Sequence, residues 1–268
     1  MSQNNPVIKW TGSKRSQAKE ICNLIPKDYS IYFEPFLGGG SILYNLSPNN
    51  AIASDISTPL INFFSILKNH PQKLIDSYYH DWNILQDDNE YYYEVRKRFN
   101  ENQSAEDFLF LSRTCINGLI RFNKKGDFNS PFHIGRPGIN PKRLEKIIIL
   151  WHEKFKNYIF INCDYSNIID NFITKNDFIY LDPPYFETKG MYHNGLDFDN
   201  LCKNLEKINI IGAKYILSYD GINGKDNTVA LPKELYKNHL YLNSGNSSFS
   251  RLFSGKNINV LESIYKNY

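Results

Sequence analysis

Residues 31 to 55 read IYFEPFLGGGSILYNLSPNNAIASD, and the architecture follows from them. Ile31–Phe36 and Ala51–Asp55 are short aromatic and aliphatic runs of strand type, and Ile42–Leu46 between them reads as helical. Two strands joined through a helix need a crossover, which makes them parallel strands of one sheet. The three consecutive glycines, Gly38–Gly40, remove every Cβ where strand turns into helix, so a ligand can lie against the backbone. A tight turn that is merely glycine-rich would read the same, and the run is not GxGxxG. Asp55 adds weight to the ligand reading, because α/β nucleoside-binding sheets place a carboxylate at this strand end for ribose hydroxyls. Glu34, in the same stretch, suits a positively charged ligand and would repel a phosphate.

The same alternation continues along the chain. Tyr158–Asn162, Phe178–Leu181, Tyr215–Ser218 and Val260–Tyr265 are further strand candidates, and Ser13–Leu24, Pro59–Lys68, Lys142–Lys156 and Phe198–Asn209 are helical. The expected class is α/β with a mostly parallel sheet. Between Asp55 and Tyr158 the alternation stops: Pro71–Phe99 is helical and aromatic, Glu106–Leu119 is another helix, and Arg121–Pro137 is a hairpin or loop. This stretch is expected to form a smaller inserted domain on one edge of the sheet. Gly221–Thr228 and Ser244–Phe253 read as loops.

Residues 180 to 186 read YLDPPYF. The apolar strand runs into Asp182, then into two prolines that forbid regular structure, then into Tyr185. A rigid polar turn at a sheet edge is one reading. The available chemistry supports another: a carboxylate and the Pro183 carbonyl are two acceptors in fixed geometry, beside a ring able to stack. That set suits an exocyclic amine. An aromatic amine has its lone pair drawn into the ring, and accepting from both its N–H groups favours a more sp³-like nitrogen and stabilises the charge that develops during attack. The residues therefore point to alkylation of a base amine.

The chain carries 31 Lys and Arg against 28 Asp and Glu, with 41% hydrophobic and 22% charged residues, a composition that excludes a disordered scaffold. Apolar runs such as Ile147–Trp151 are far shorter than the roughly 20 residues of a membrane span. The start MSQNNPVIKW has no signal-peptide core, so the expected location is the cytoplasm. Cys22, Cys115, Cys163 and Cys202 form no CxxC pair and the histidines show no ligand spacing, so reduced thiols and no metal are expected. Between Arg113 and Arg143, seven basic residues stand against Asp127 alone, interleaved with Phe122, Phe128, Phe132, Asn117, Asn123 and Asn129. Such a stretch fits a nucleic-acid surface, and equally a solvated charged face. Tyr91–Tyr93 read as packing, and His133 and His193 as surface or loop residues with no catalytic part.

KWTGSKR (9–15), FEPFLGGGS (33–41), Asp55, CDY (163–165) and DPPY (182–185) stand in the order seen in Dam-type, alpha-class (D12) DNA N6-adenine methyltransferases. The chain resembles that family from residue 9 to about 220. FLSRTCINGLIRFNKKGDFNSPF (110–132) is similar to the DNA-reading segment of the GATC and GATATC methyltransferases.

The resemblance implies a Rossmann-like methyltransferase fold that uses S-adenosylmethionine. Residues 1–56 and 158–268 would form the catalytic domain, and the mainly helical insert 57–157 the DNA target-recognition domain. The cofactor's methionine moiety would lie over the glycine loop near Phe33, Glu34, Gly38 and Gly39, with Lys9, Trp10, Gly12 and Lys14 contributing from the N-terminal side. Asp55 would hold the ribose hydroxyls, and Asp164 and Tyr165 would contact the adenine ring. Asp182, bordering the cofactor, would accept from the target N6 together with the Pro183 carbonyl, in a turn fixed by Pro184, while Tyr185 stacks on the flipped base. Flipping is a physical necessity, because N6 inside a duplex is paired and out of reach. The implied DNA contacts are Ile116, Asn117, Arg121, Asn123, Lys124, Lys125 and Arg136. Arg121 and Asn117 suit guanine and adenine edges, and Lys124, Lys125 and Arg136 suit phosphates. Ile116 stands where the family often carries an aromatic wedge.

The implied partner is double-stranded DNA, with a cognate restriction endonuclease as companion, for a monomeric prokaryotic or phage enzyme with no membrane association. Past the DPPY turn, FETKGMYHNGLDFDNL departs from the serine- and threonine-rich run of the GATC enzymes, and LSYDG and SGNSSFSRLF are similar to methyltransferases of restriction systems. Two other readings stay open. One changes the acceptor to cytosine N4, an RNA base or a protein amide, against which stands Asp rather than Ser before the prolines. The other is a catalytically silent DNA-binding protein, against which the intact DPPY turn speaks.

Overall fold

The computed structural model describes residues 5–135, 138–184, 196–223, 231–246 and 259–268. In chain order the elements are α1 (Ala18–Leu24), β1 (Tyr32–Glu34), α2 (Ser41–Leu46), β2 (Ala51–Asp55), α3 (Thr58–Asn69), α4 (Pro71–Asp87), α5 (Tyr91–Asn102), α6 (Ala105–Thr114), α7 (Pro141–Phe155), β3 (Ile159–Asn162), α8 (Tyr165–Asn171), β4 (Phe178–Leu181), α9 (Phe198–Ile211), β5 (Lys214–Asn223), β6 (Asn238–Asn246) and β7 (Asn259–Lys266). They gather into two compact units. The first comprises Met1–Ser13, Gly38–Ser47 and Asp55–Asn162, and the second Lys14–Leu37, Pro48–Ser54 and Cys163–Tyr268.

The second unit is built on a sheet with strand order β2-β1-β4-β5-β7-β6. Its first four strands are parallel, with Phe33 opposite both Ile52 and Ile179, and Leu181 opposite Leu217. β7 joins β5 antiparallel and β6 joins β7 antiparallel. β1 and β4 are buried at every position, which is why they read as continuous apolar runs and not as alternating ones. Tyr32, Phe33, Phe178, Ile179, Leu181, Tyr215, Ile216 and Leu217 make this core.

β6 was not expected from the sequence. NHLYLNSGN carries no β-branched residue and three asparagines, so its local propensity is poor; only pairing along β7 makes it a strand. It takes in Ser244–Asn246 of the expected loop 244–253, and the rest of that loop lies outside the described residues. Gly221–Asn223 of the other expected loop likewise belong to β5. α8 is also additional, and α1 starts at Ala18 rather than Ser13.

The first unit is helical around α6, whose side chains are buried all round except at Glu106, as expected of a central helix. Ser104 caps α6 by accepting from the Asp107 N–H at 3.2 Å. Phe99 and Trp10 pack on Phe108, and Phe64, Trp151 and Phe155 form a second aromatic group with Tyr44. Two buried carboxylates, Asp81 and Asp107, share the Arg98 guanidinium at 3.3 and 2.5 Å. The segment after α6 is a hairpin, as expected, with Cys115 paired to Phe132 and Phe122 to Phe128.

Candidate active site

In the second unit, buried β4 delivers Asp182 to the end of the sheet, and the Asp182 carboxylate meets the Lys14 ammonium at 2.8 Å. Lys14 also lies 2.7 Å from Glu262 on β7, whose Oε1 accepts from the Ser218 hydroxyl at 2.5 Å. Burial pushes the Asp182 carboxyl up to about 6; the Lys14 charge opposes this and the Glu262 charge adds to it. Pro183 is buried and Pro184 half-buried, so the turn is anchored on both sides of the Pro183 carbonyl. Tyr185 lies outside the described residues.

Glu34 closes β1 and is buried, accepting from the Tyr32 phenol at 2.7 Å. Phe33 is fully buried in the sheet between β2 and β4. Asp164 caps α8 by accepting from the Ser166 N–H at 2.9 Å, and Tyr165 is buried with the Phe36 ring 4.8 Å away. Of that aromatic pair Phe36 is the more exposed, a feature the sequence reading missed although it belongs to the FEPF motif.

In the first unit, Asp55 accepts from the Gly38 N–H at 3.0 Å and from the Ser57 N–H at 2.9 Å. Burial raises its pKa against these backbone donors. A carboxylate offers about four lone-pair directions, so capacity for hydroxyl donors remains. Ile56, next in the chain, is 72% exposed and sets an apolar surface beside that carboxylate. The glycine loop has a further use. A Cβ on Gly38 would sit 3.0 Å from the Trp10 indole and one on Gly39 3.1 Å from the Trp10 Cβ, so both glycines also let Trp10 lie against the backbone. Gly12 has a positive φ of 78° with open space on its Cβ side.

The hairpin of the first unit presents the basic segment. Asn117 adopts φ 54° and Gly118 φ 66°, and the Lys9 side chain lies directly against Gly118, leaving no room for a Cβ. Ile116, Asn117, Arg121, Lys124 and Lys125 are exposed. Asn123 works inside the turn: its carbonyl accepts from the Lys125 and Asp127 N–H groups at 2.8 and 3.0 Å, and its amide donates to Asp127 at 3.0 Å. Arg113, counted in the basic stretch, points inward and donates to the Val7 and Pro6 carbonyls. Arg136 lies outside the described residues.

The family model for the D12 class N6 adenine-specific DNA methyltransferases matches residues 10–259. The chain belongs to that class. Among the relatives of this methyltransferase, the type II methyltransferase M.MjaIII of Methanocaldococcus jannaschii is 34% identical over 80% of this chain and 83% of its own. Type II methyltransferase M1.LlaDCHI of Lactococcus lactis is 29% identical over 87% and 84%. The DNA adenine methylase of Haemophilus influenzae is 32% identical over 68% and 64%. Among the described residues, the methyltransferase has no cluster of three His, Cys, Asp or Glu able to hold a metal, and no helix long and apolar enough to cross a membrane.

Proposed function

We propose that this methyltransferase transfers the methyl group of S-adenosylmethionine to N6 of a flipped adenine at a short site in double-stranded DNA, in a restriction-modification setting. The observation that carries this reading is Asp182 delivered by a buried strand into an anchored double-proline turn. The donor supplies an electrophilic methyl on a sulfonium. Asp182 and the Pro183 carbonyl accept the two N–H groups of the target amine, raising electron density on nitrogen as the N–C bond forms and the S–C bond breaks. One amine proton would then pass to solvent, leaving N6-methyladenine and the neutral thioether.

The fit of the chain to the donor rests on its own groups. Glu34 and Asp182 are carboxylates suited to a sulfonium and an ammonium, Asp55 retains acceptor capacity for ribose hydroxyls, and Ile56 and Phe36 offer apolar surface to an adenine ring. Lys9, Trp10, Gly12, Lys14, Phe33, Gly38, Gly39, Asp164 and Tyr165 complete the proposed cofactor set. Residues 1–56 and 158–268 are proposed as the catalytic domain and 57–157 as the target-recognition domain, where exposed Arg121, Lys124 and Lys125 on a fixed hairpin suit a polyanion. Ile116 and Asn117 on the same hairpin are proposed to meet base steps and edges. The test incubates the purified protein with labelled S-adenosylmethionine and, separately, duplex DNA, RNA and protein, followed by digestion. Label in N6-methyladenine from duplex DNA alone is expected; label in cytosine or RNA overturns the reading.

A further inference from the structure

We propose that Glu262 is a positioning residue for methyl transfer: it holds the Lys14 ammonium beside Asp182 and cancels its charge, leaving the turn with one net negative charge toward a sulfonium. This rests on the reading of Asp182 as the acceptor of the target amine. Glu262 lies beyond residues 10–259 that the family model matches.

The geometry is a buried chain of four side chains from four segments. Ser218 on β5 donates to Glu262 on β7 at 2.5 Å, Glu262 meets Lys14 at 2.7 Å, and Lys14 meets Asp182 at 2.8 Å. The Lys14 and Glu262 side chains are 9% and 4% exposed, and that of Asp182, the one open toward a substrate, 18%. Among the described residues, the phenol of Tyr180 on β4 also faces Asp182, Lys14 and Glu262. A buried ion cluster is weak evidence for stability, since desolvation offsets much of its attraction, so its placement calls for a reason at the site.

Charge balance gives that reason. The reacting nitrogen and methyl carbon must approach to about 3–3.5 Å, and the nitrogen is held at hydrogen-bond distance from Asp182. A sulfonium therefore comes within several ångströms of the Lys14–Asp182 pair. With Lys14 and Asp182 alone the turn would be neutral, and the ammonium would repel the sulfonium and draw the carboxylate's electron density away from the amine. Glu262 offsets the ammonium's charge through its 2.7 Å contact, so Asp182 keeps its acceptor strength. The positive charge then moves from sulfur to nitrogen in front of a negatively charged turn.

The experiment compares wild type with Glu262→Gln and Glu262→Asp in the full chain, by calorimetry with S-adenosylmethionine and with S-adenosylhomocysteine in the absence of DNA, and by single-turnover methylation across pH. Removing the charge in Glu262→Gln is expected to weaken S-adenosylmethionine about tenfold relative to the neutral thioether. The acid limb of methyl transfer is expected to move to lower pH, because a negative neighbour of Asp182 has gone. Glu262→Asp should restore much of the selectivity. Equal weakening of both ligands, or no change in either, overturns the proposal and makes Glu262 a packing residue. Asp182→Ala separates the two levels: if it still transfers methyl groups, the reading of Asp182 itself fails; if it is inactive while Glu262→Gln behaves as wild type, only the role of Glu262 fails.

Discussion

Asn100 on α5 and Phe128 in the hairpin form a two-point clamp: the Asn100 side-chain carbonyl accepts from the Phe128 N–H at 2.8 Å, and its amide donates to the Phe128 carbonyl at 3.2 Å. One and two helical turns earlier, Arg96 and Tyr92 donate to the Ser130 carbonyl at 3.4 and 2.8 Å. One helix face thus serves the hairpin as a strand partner would. Asn100→Ala is expected to remove about 1–3 kcal/mol and to loosen the segment that carries Arg121. Thermal melting should show the loss, and a panel of duplexes with single base substitutions should show reduced discrimination at a modest cost in rate on the best site.

Arg121 and the lysine pair separate specificity from affinity. Lys124→Ala and Lys125→Ala should weaken specific and random duplexes about equally and lower the salt slope by roughly one unit per lost phosphate contact. Arg121→Ala should cost about 1–3 kcal/mol at the cognate site and little on random DNA, and methylation should spread to sites altered at one base pair. A uniform fall in rate on every duplex would make Arg121 a phosphate contact.

The titration of Asp182 sets a pH dependence. Its carboxyl is raised to about 6, so below that pH it is protonated and loses acceptor capacity toward the amine. Single-turnover methyl transfer should therefore fall as pH drops through about 6, while hardly changing between pH 7 and 8. Asp182→Ala should be inactive at every pH even with S-adenosylmethionine at saturation, because the group acts on the transition state.

For the cofactor, Glu34→Ala and Asp55→Asn should each weaken S-adenosylmethionine in calorimetry without DNA. Asp55→Asn keeps one carbonyl for the Gly38 or Ser57 N–H, so the loop should stay folded and the loss should report the carboxylate. Unchanged affinity in both variants would reduce Gly38 and Gly39 to a turn that seats Trp10.

Arg98 offers a control on stability alone. Asp81 and Asp107 are almost fully buried, and Arg98→Ala leaves both without their shared cation. Urea denaturation should register a loss of about 3 kcal/mol, near the low end for a broken buried pair because the Arg98 side chain is itself 44% exposed.

Much of this molecule is written locally. A strand, three glycines, a helix and a second strand ending in Asp55 specify a parallel crossover, because each signal is a periodicity or a backbone constraint among near neighbours in the chain. Asp182 before two prolines likewise carries its chemistry within four residues, and the hairpin is legible from Asn123 and Gly126 flanked by aromatic residues. Other features depend on partners far away along the chain. β6 is a strand because β7 supplies its hydrogen bonds, Arg113 is internal because the Val7 carbonyl accepts from it, and Trp10 occupies the space the glycines leave. Lys14, by sequence a cofactor residue, is joined to Asp182 and Glu262 only once β4 and β7 lie in one sheet with β5 between them. No window of sequence records such a pairing, since burial and opposite charge make it favourable only after the packing has brought the groups within a few ångströms.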